Sequence, residues 1–559
     1  MSKMLMSMSS GPNIQMRLAG WSQSAVQEAF NDHMRKLLVL RGDWTMALYD
    51  LAWVLCTDFF SKDEQRFWLE HLLNSQNPDA TWGDASYSAQ SALIDTLTVC
   101  MAYVRLGQPI PRLAELQQGV VNRLIELASQ ASYHNLVAFE VLFPLLLRWL
   151  ETQGVVFQIS ERSAQYAVKQ NTRGMLKIEA IKAGIGWFNP ESPLSHTAEF
   201  LALLINETFN PQELEKLILE NGSIGASPAA TAAAILLYRK AGLEAPNALY
   251  RYLFRTLRDH QGQGFPNLHP IETSRRLWNL RPWLLSGHLA PLLKAPNSLR
   301  LIRQVYDEVV FAPYERVAWD PLMNAMPDLD DTAVALALYV TLKQAGVIDL
   351  TPMSLISIKK FQRANNTFFC LPYELHSTPS VLLHTLMALD QFEALFGASA
   401  QLDQSRQVLL RQVLLDHQHV AELWNDKWHL TWTYAAQAWI SVASVQRAVP
   451  ELILSMAAEI LRREQNGGWG EQSATVEESA YVISGLVALL HSEQIALSMD
   501  LKKEIHAALG RAHQFMYQQL EGGEFYAPAL WISKTMYRAD TMVLAAVYNA
   551  LYALHDRRA

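Results

Sequence analysis

Asp328-Leu-Asp330-Asp331-Thr332 places three carboxylates side by side in a stretch that is otherwise apolar. Pro327 precedes the run and Val334-Ala-Leu-Ala-Leu-Tyr-Val340 follows it. A solvated acidic face is not built among so many aliphatic residues. Carboxylates buried together cannot all ionise, so at least one keeps its proton. A protonated Asp in apolar surroundings is a Brønsted acid, and those surroundings point to a hydrocarbon as its base. The residues alone leave three readings open. Pro327 and Asp328 suit the N1 and cap positions of a helix, where acidic side chains favour the helix dipole. The run also fits a phosphatase-type D-x-D-x-T pattern. That chemistry needs an apolar strand just before it, and Met323-Asn-Ala-Met-Pro327 does not read as one. The third reading is a general acid that protonates an alkene. It carries a tension, because a helix N-terminus lowers an Asp pKa while burial and like charge raise it. Asp330, the middle residue, can be flanked by hydrogen-bonding partners on both sides and is the natural proton holder.

An acid of this kind needs a large apolar frame, and the chain has the means to build one. It has 559 residues, which predicts two or more domains. Half of its residues are hydrophobic and 16 are Trp. The formal net charge is −8 and no basic block stands out, which argues against nucleic acid as the main partner. Cys56, Cys100 and Cys370 are far apart and match no metal spacing, so a reduced compartment fits them. The first ten residues hold no apolar stretch of signal-peptide length, and no run of membrane-spanning length follows. A soluble, cytoplasmic protein is the expectation.

Helical periodicity dominates. Ala232–Gly242 and Thr332–Gly346 both read as apolar helices with a Gly stop, and alternating strand patterns are scarce. The fold class expected is all-α. Weak internal repetition supports it. Gln76-Asn-Pro-Asp-Ala-Thr-Trp82-Gly83-Asp84 and Gln465-Asn-Gly-Gly-Trp469-Gly470-Glu471 each lead through a Ser into an apolar helix. Asn221–Pro228 and Asn366–Pro372 are looser versions of the same unit. Repeated helix-turn-helix units in both halves predict two related helical barrels. The Gln–Trp elements read as structural, the Gln capping a helix end and the Trp packing against it.

With these segments in view the chain resembles the class II diterpene cyclases, of the bacterial two-domain copalyl diphosphate synthase type. Asp328-x-Asp330-Asp331 is similar to their DxDD motif, in which the middle Asp is the acid. Tyr49-Asp50-Leu-Ala52-Trp53-Val54 resembles their S-A-Y-D-T-A-W-V segment, and Gln76–Asp84 their Q-x-P-D-G-S-W-G-D. Phe139-Glu140-Val-Leu-Phe143-Pro144 resembles G-F-E-x-x-F-P, and Asn221–Ala234 resembles D-G-S-F-x-x-S-P-S-A-T-A-A-A. The set runs in order over nearly the whole chain.

The resemblance implies a site. His196, in Leu194–Leu201, and Asn267, in Phe265–Pro270, match a His–Asn dyad of the plant ent-copalyl diphosphate synthases that holds a water for the final deprotonation. Read alone they are an interface His and a turn Asn. Lys177, Lys427 and Lys534 fall near cationic positions of the family, and Arg275 and Arg276 stand at the Glu and His of its D-x-F-E-H-x-W segment. All five are candidates for contacting a diphosphate. Trp278, Trp319 and Phe369 are candidates for lining a cation pathway, since aromatic faces stabilise carbocations without trapping them. Magnesium is implied as cofactor, although the acidic stretch linked to it in plant relatives reads Glu126-Leu-Ala-Ser-Gln-Ala-Ser-Tyr-His-Asn135 here.

The implied architecture has two α-helical barrels with the active site between them. One is a β domain over 1–43 and 275–559 that carries the Asp cluster, and the other an inserted γ domain over 44–274. The implied reaction is cyclisation of geranylgeranyl diphosphate to a bicyclic diphosphate of the copalyl type, with the dyad hinting at the ent series. Asp330 donates the proton, Asp328 and Asp331 orient it, and the diphosphate stays on. No D-D-x-x-D motif is present, so the product would pass to a separate class I terpene synthase or a phosphatase. A drimenyl-type enzyme acting on farnesyl diphosphate is the nearest alternative and a squalene-type triterpene cyclase a further one. From another class, a helical-toroid binding protein would share the architecture without the acid.

Overall fold

The structure is a computed structural model. It describes residues 13–555 except 17, 19, 40–44, 85, 130–135, 186–187, 191, 193, 205–209, 310–315, 321–326, 372–373, 375–377, 416–423 and 425. The chain divides into two compact units. The first is Trp44–Ile271 with Ala529–Arg538, and the second is Ser9–Asp43, Glu272–Pro528 and Ala539–Ala559. The expected division ran 1–43 and 275–559 against 44–274. Among the described residues the structure differs from that in two places: residues 272–274 fall in the second unit, and residues 529–538 return to the first.

In the second unit six helices form a closed ring. Glu272–Leu285, Leu329–Gln344, Pro379–Phe396, Trp432–Ser441, Val476–Leu490 and Asp540–Leu554 each pack on the next, and the last packs on the first. Ring helices are covered on both faces, which is why they read as near-continuous apolar runs. Every residue of Leu329–Leu342 is buried. Flanking helices show the other pattern. In the first unit Asn247–Asp259 buries Leu249, Tyr252, Leu253, Thr256 and Leu257, a stripe at helical spacing, and leaves the rest exposed or half-buried. That unit has its own ring, made of Leu48–Leu55, Ala89–Arg105, Phe139–Thr152, the 3₁₀ segment Ser195–Leu203 and Pro228–Lys240. The fold is all-α, as expected from sequence. Its described strands are two short antiparallel ribbons, Asn13–Gln15 with Glu524–Tyr526 and Trp531–Ile532 with Met536–Tyr537. No helix among the described residues is long and apolar enough to cross a membrane.

The Gln–Trp units are structural clasps. Trp82 Nε1 donates to the Leu72 carbonyl at 2.6 Å and Trp469 Nε1 to the Ile460 carbonyl at 2.8 Å. Both indoles are fully buried. Gln76 donates to the Ala80 carbonyl and Gln465 to the Gly470 carbonyl, closing the turn from within. Each clasp therefore ties the end of one helix to the turn before the next. Trp469→Phe keeps the ring packing and removes the indole hydrogen bond to the Ile460 carbonyl, which then accepts only from Arg463 N–H among the described residues. It should lower the unfolding free energy of the full chain by about 1–2 kcal/mol, read from urea denaturation, with no loss of helix content.

Candidate active site

The Asp cluster opens the ring helix Leu329–Gln344. Asp328 is its N-cap, with extended backbone, and its Oδ1 accepts from the Asp331 N–H at 2.7 Å. Pro327 precedes the cap rather than filling N1, because it takes part in a bridge with Ala318. Two neighbouring segments hold the cap. Asp328 N–H donates to the Val317 carbonyl and Leu329 N–H to the Cys370 carbonyl. Thr332 Oγ1 donates to the Asp328 carbonyl and accepts from Val317 N–H.

All three carboxyl groups are buried. Their oxygens are not equally occupied. Asp328 Oδ2 accepts from Trp319 Nε1. Asp331 Oδ1 accepts from Trp278 Nε1 at 2.8 Å, and its Oδ2 accepts from the Ser274 hydroxyl. Asp330 Oδ1 meets His384 Nδ1 at 2.7 Å. Asp330 Oδ2 is buried and has no hydrogen-bond partner among the described residues. Five of the six oxygens are thus engaged, and the sixth belongs to the middle residue. Burial is the first cause that lifts the Asp328 carboxyl well above the carboxylate range, followed by the charges of Asp331 and Asp330. Burial also lifts Asp331, to about 7, against the opposing hydrogen bond from Ser274. The helix dipole loses to desolvation, so the cluster retains protons near neutrality.

The second candidate group lies in the first unit. His196 sits in the 3₁₀ segment Ser195–Leu203, with Nδ1 at 2.8 Å from the Gly225 carbonyl. A carbonyl only accepts, so Nδ1 carries the proton and Nε2 is the basic nitrogen. Burial first, and the Lys534 charge second, push His196 down to about 3, which keeps the ring neutral. Gly225 has φ +54°, and a Cβ there would come within 2.5 Å of His196 Cα, so no side chain fits this turn. Asn267 is buried against Thr535, to whose Oγ1 its Nδ2 donates at 3.1 Å.

The structure gathers Asp328, Asp330, Asp331, Trp278 and Trp319 into one cluster, the two indoles acting as hydrogen-bond donors. Phe369 precedes Cys370 and lies under the Arg363 guanidinium at 3.6 Å. The five cations expected to meet a diphosphate each have a carboxylate partner. Lys177 pairs with Glu140 at 2.9 Å, Lys427 with Glu374, and Arg276 with Glu308 at 2.7 Å. Arg275 pairs with Glu272 at 2.6 Å and also donates to the Leu37 carbonyl. Lys534 is fully buried, 3.1 Å from Glu199 and 3.9 Å from Asp50, with Tyr49 donating to the same Glu199 oxygen. Arg275 and Lys534 are therefore internal ion-pair members, 1% and 0% exposed.

Sequence reasoning passed over His384, Ser274, Glu199 and Thr535. His384 shows in the sequence only as one imidazole in the apolar run Val381–Leu389, 54 residues from its partner. A magnesium site was also expected. Among the described residues no group of three or more His, Cys, Asp or Glu side chains is arranged to hold a metal ion. Of the stretch that would match the plant acidic motif, residues 130–135 lie outside the described part.

Two outcomes follow. Asp328 and Asp331 take up protons on folding, so their stabilisation is whole below the free-carboxyl pKa of about 4. It is lost as pH rises toward about 7, where Asp331 ionises. Asp331→Asn removes one of these carboxyls and the like charge that raises Asp328, so the pH dependence of unfolding stability between about pH 4 and 7 should shrink in that variant. Lys534→Met leaves Glu199 buried without its cation. It should destabilise the full chain by about 3–5 kcal/mol in urea unfolding.

No family model matches the chain. It is similar in sequence to a copalyl diphosphate synthase of Streptomyces cyslabdanicus, 25% identical over 539 residues that cover 92% of this chain and 93% of the relative. A copalyl diphosphate synthase of Talaromyces verruculosus is 24% identical over 553 residues, 92% of this chain and 54% of the fungal protein, so the chain spans about half of that relative. Its fold is similar to that of the ent-copalyl diphosphate synthase from Streptomyces platensis, with a TM-score of 0.68 at 21% identity, covering 95% of this chain and 99% of that one. Over most of its length the chain is thus similar in sequence to copalyl diphosphate synthases, and its all-α fold is similar to that of a solved enzyme of that name.

Proposed function

We propose that the chain is a class II diterpene cyclase. It protonates the terminal alkene of geranylgeranyl diphosphate and closes two rings. It releases a bicyclic diphosphate of the copalyl type, for use by a separate synthase or phosphatase. One observation carries this reading. In a buried triad of carboxyl groups only Asp330 presents an oxygen without a hydrogen-bond partner among the described residues. That oxygen is the one able to give a proton to an apolar substrate. Names given to relatives along the whole chain support the substrate class.

In this mechanism Asp330 carries its proton on Oδ2, while Oδ1 accepts from His384 Nδ1–H. That bond fixes the carboxyl plane and stabilises the carboxylate left after transfer. Asp328 and Asp331, held by Trp319, Trp278 and Ser274, fix the first turn of the helix from which Asp330 projects. The alkene takes the proton at its less substituted carbon, and the tertiary cation that results is attacked by the next double bond. After the second ring closes, a C–H bond beside the cation supplies the electrons of a new double bond. Its proton passes to a water held by neutral His196 and Asn267. The carbon–oxygen bond to the diphosphate is not broken.

The test is incubation of the full chain with the C20 and the C15 prenyl diphosphates, followed by dephosphorylation and product analysis. A bicyclic C20 alcohol is the expected product, and Asp330→Ala should lower its rate of formation by about 10²–10⁴-fold. A bicyclic C15 product alone would assign the enzyme to the drimenyl type. Unchanged cyclisation by Asp330→Ala, or only linear alcohols from both substrates, would overturn the mechanism.

A further inference from the structure

The return segment Ala529–Arg538 does more than complete a sheet. Its two strands, Trp531–Ile532 and Met536–Tyr537, form a hairpin with Ser533-Lys534-Thr535 at the tip. The tip is fastened on several sides. The Ser533 carbonyl accepts from Val137 N–H, and Met536 N–H donates to Ser91 Oγ. Lys534 Nζ lies 3.1 Å from Glu199, 2.5 Å from Ser227 Oγ and 3.4 Å from the His196 carbonyl. Glu199 stands three residues after His196 in the same 3₁₀ segment. One residue on, Thr535 holds Asn267. Asn267 Nδ2 donates to Thr535 Oγ1 at 3.1 Å, and Thr535 N–H donates to Asn267 Oδ1 at 3.4 Å. Both residues are about 1% exposed.

This pairing has a definite polarity. The Thr535 N–H can only donate, so it selects the carboxamide orientation with Oδ1 toward it. A flipped carboxamide would set the Asn267 amide hydrogens against that N–H. Thr535 Oγ1 completes the match by accepting from Nδ2. The Thr535 hydroxyl also lies 3.3 Å from Oδ1 as a second donor to it, which leaves one N–H of Nδ2 over, with its direction set by the hairpin tip.

Resting on the proposed role of His196 and Asn267, we propose that Thr535 is the positioning residue that orients this pair, and that it thereby decides which hydrogen the last cation loses. Lys534 anchors the tip through its ion pair with Glu199. Thr535 aims Asn267. When the water is misplaced, the cation has two other outcomes. A different neighbouring C–H bond gives up its proton and forms an isomeric alkene. Otherwise the water oxygen donates a lone pair to the cation, forms a C–O bond and loses a proton to a second water, giving an alcohol. Initiation at Asp330 is a separate event, so the readout is the product ratio and not the overall rate.

The experiment compares full-length wild type, Thr535→Val, Thr535→Ser, Asn267→Ala and His196→Ala with geranylgeranyl diphosphate, scoring each product as a share of all cyclised products. Thr535→Val retains the shape and backbone N–H and removes Oγ1. It should shift the ratio of the wild-type product to the other cyclised products by about tenfold, the change that one lost hydrogen bond sets between competing barriers. Thr535→Ser, which restores the hydroxyl, should keep the wild-type ratio. Thr535→Ala carries the same expectation as Val and replaces it if the Val variant does not fold. If Asn267→Ala changes the products while Thr535→Val and Thr535→Ala do not, the positioning role is refuted and the water-holding pair stands. If neither Asn267→Ala nor His196→Ala changes the products, the pair itself is refuted, and the role of Thr535 falls with it.

Discussion

Burial of three carboxyl groups at the start of one ring helix is the constraint on which the second unit depends. Ionised carboxylates in such a place are costly, and the cost is met by proton retention rather than by a cation. Retention works only if the groups that do not react are hydrogen-bonded. Trp319, Trp278, Ser274 and the Asp331 N–H supply those bonds. Three of these donors come from other segments of the same unit, so the acid exists only when those segments are in place. The helix Leu329–Gln344 is covered on all sides, which anchors its first turn more firmly than a surface helix could be.

The first unit meets the same physical problem with a different answer. Asp50, Asp95 and Glu199 are buried there, and Lys534 brings a buried positive charge to two of them. Burial still outweighs that charge at Asp50, which is pushed up to about 7, and Asp95 is pushed up to about 8. The Lys534 charge has a second effect, because it helps keep His196 neutral. A neutral imidazole with its proton fixed on Nδ1 can accept at Nε2, whereas a protonated one could not. An ion pair that looks purely architectural therefore also sets the charge state of a neighbouring side chain.

Local features of the chain were legible without coordinates. The all-α class follows from apolar runs at helical spacing, and the clasping role of Trp82 and Trp469 follows from their place between a polar turn and a helix. Asp328 is a cap because a short acidic side chain at that position satisfies an otherwise unpaired N–H. Cations were harder to place. Lys177, Lys427, Lys534, Arg275 and Arg276 each carry a charge that suits a diphosphate, and each turns out to face a carboxylate. Charge is a property of the residue, whereas the partner is a property of the packing.

The sequence by itself determined that three carboxyls would be buried together on a helix N-terminus, since their neighbours in the chain are apolar and helical. That is enough to require a retained proton. It did not determine which carboxyl would be left with an unengaged oxygen. His384, 54 residues along, reaches Asp330 only because the helix Pro379–Phe396 packs beside Leu329–Gln344 in the closed ring. Thr535 reaches Asn267 across 268 residues because the chain returns to the first unit near its end. Local periodicity sets burial, whereas the identity of a distant hydrogen-bond partner depends on which helices become neighbours, and only the tertiary structure decides that.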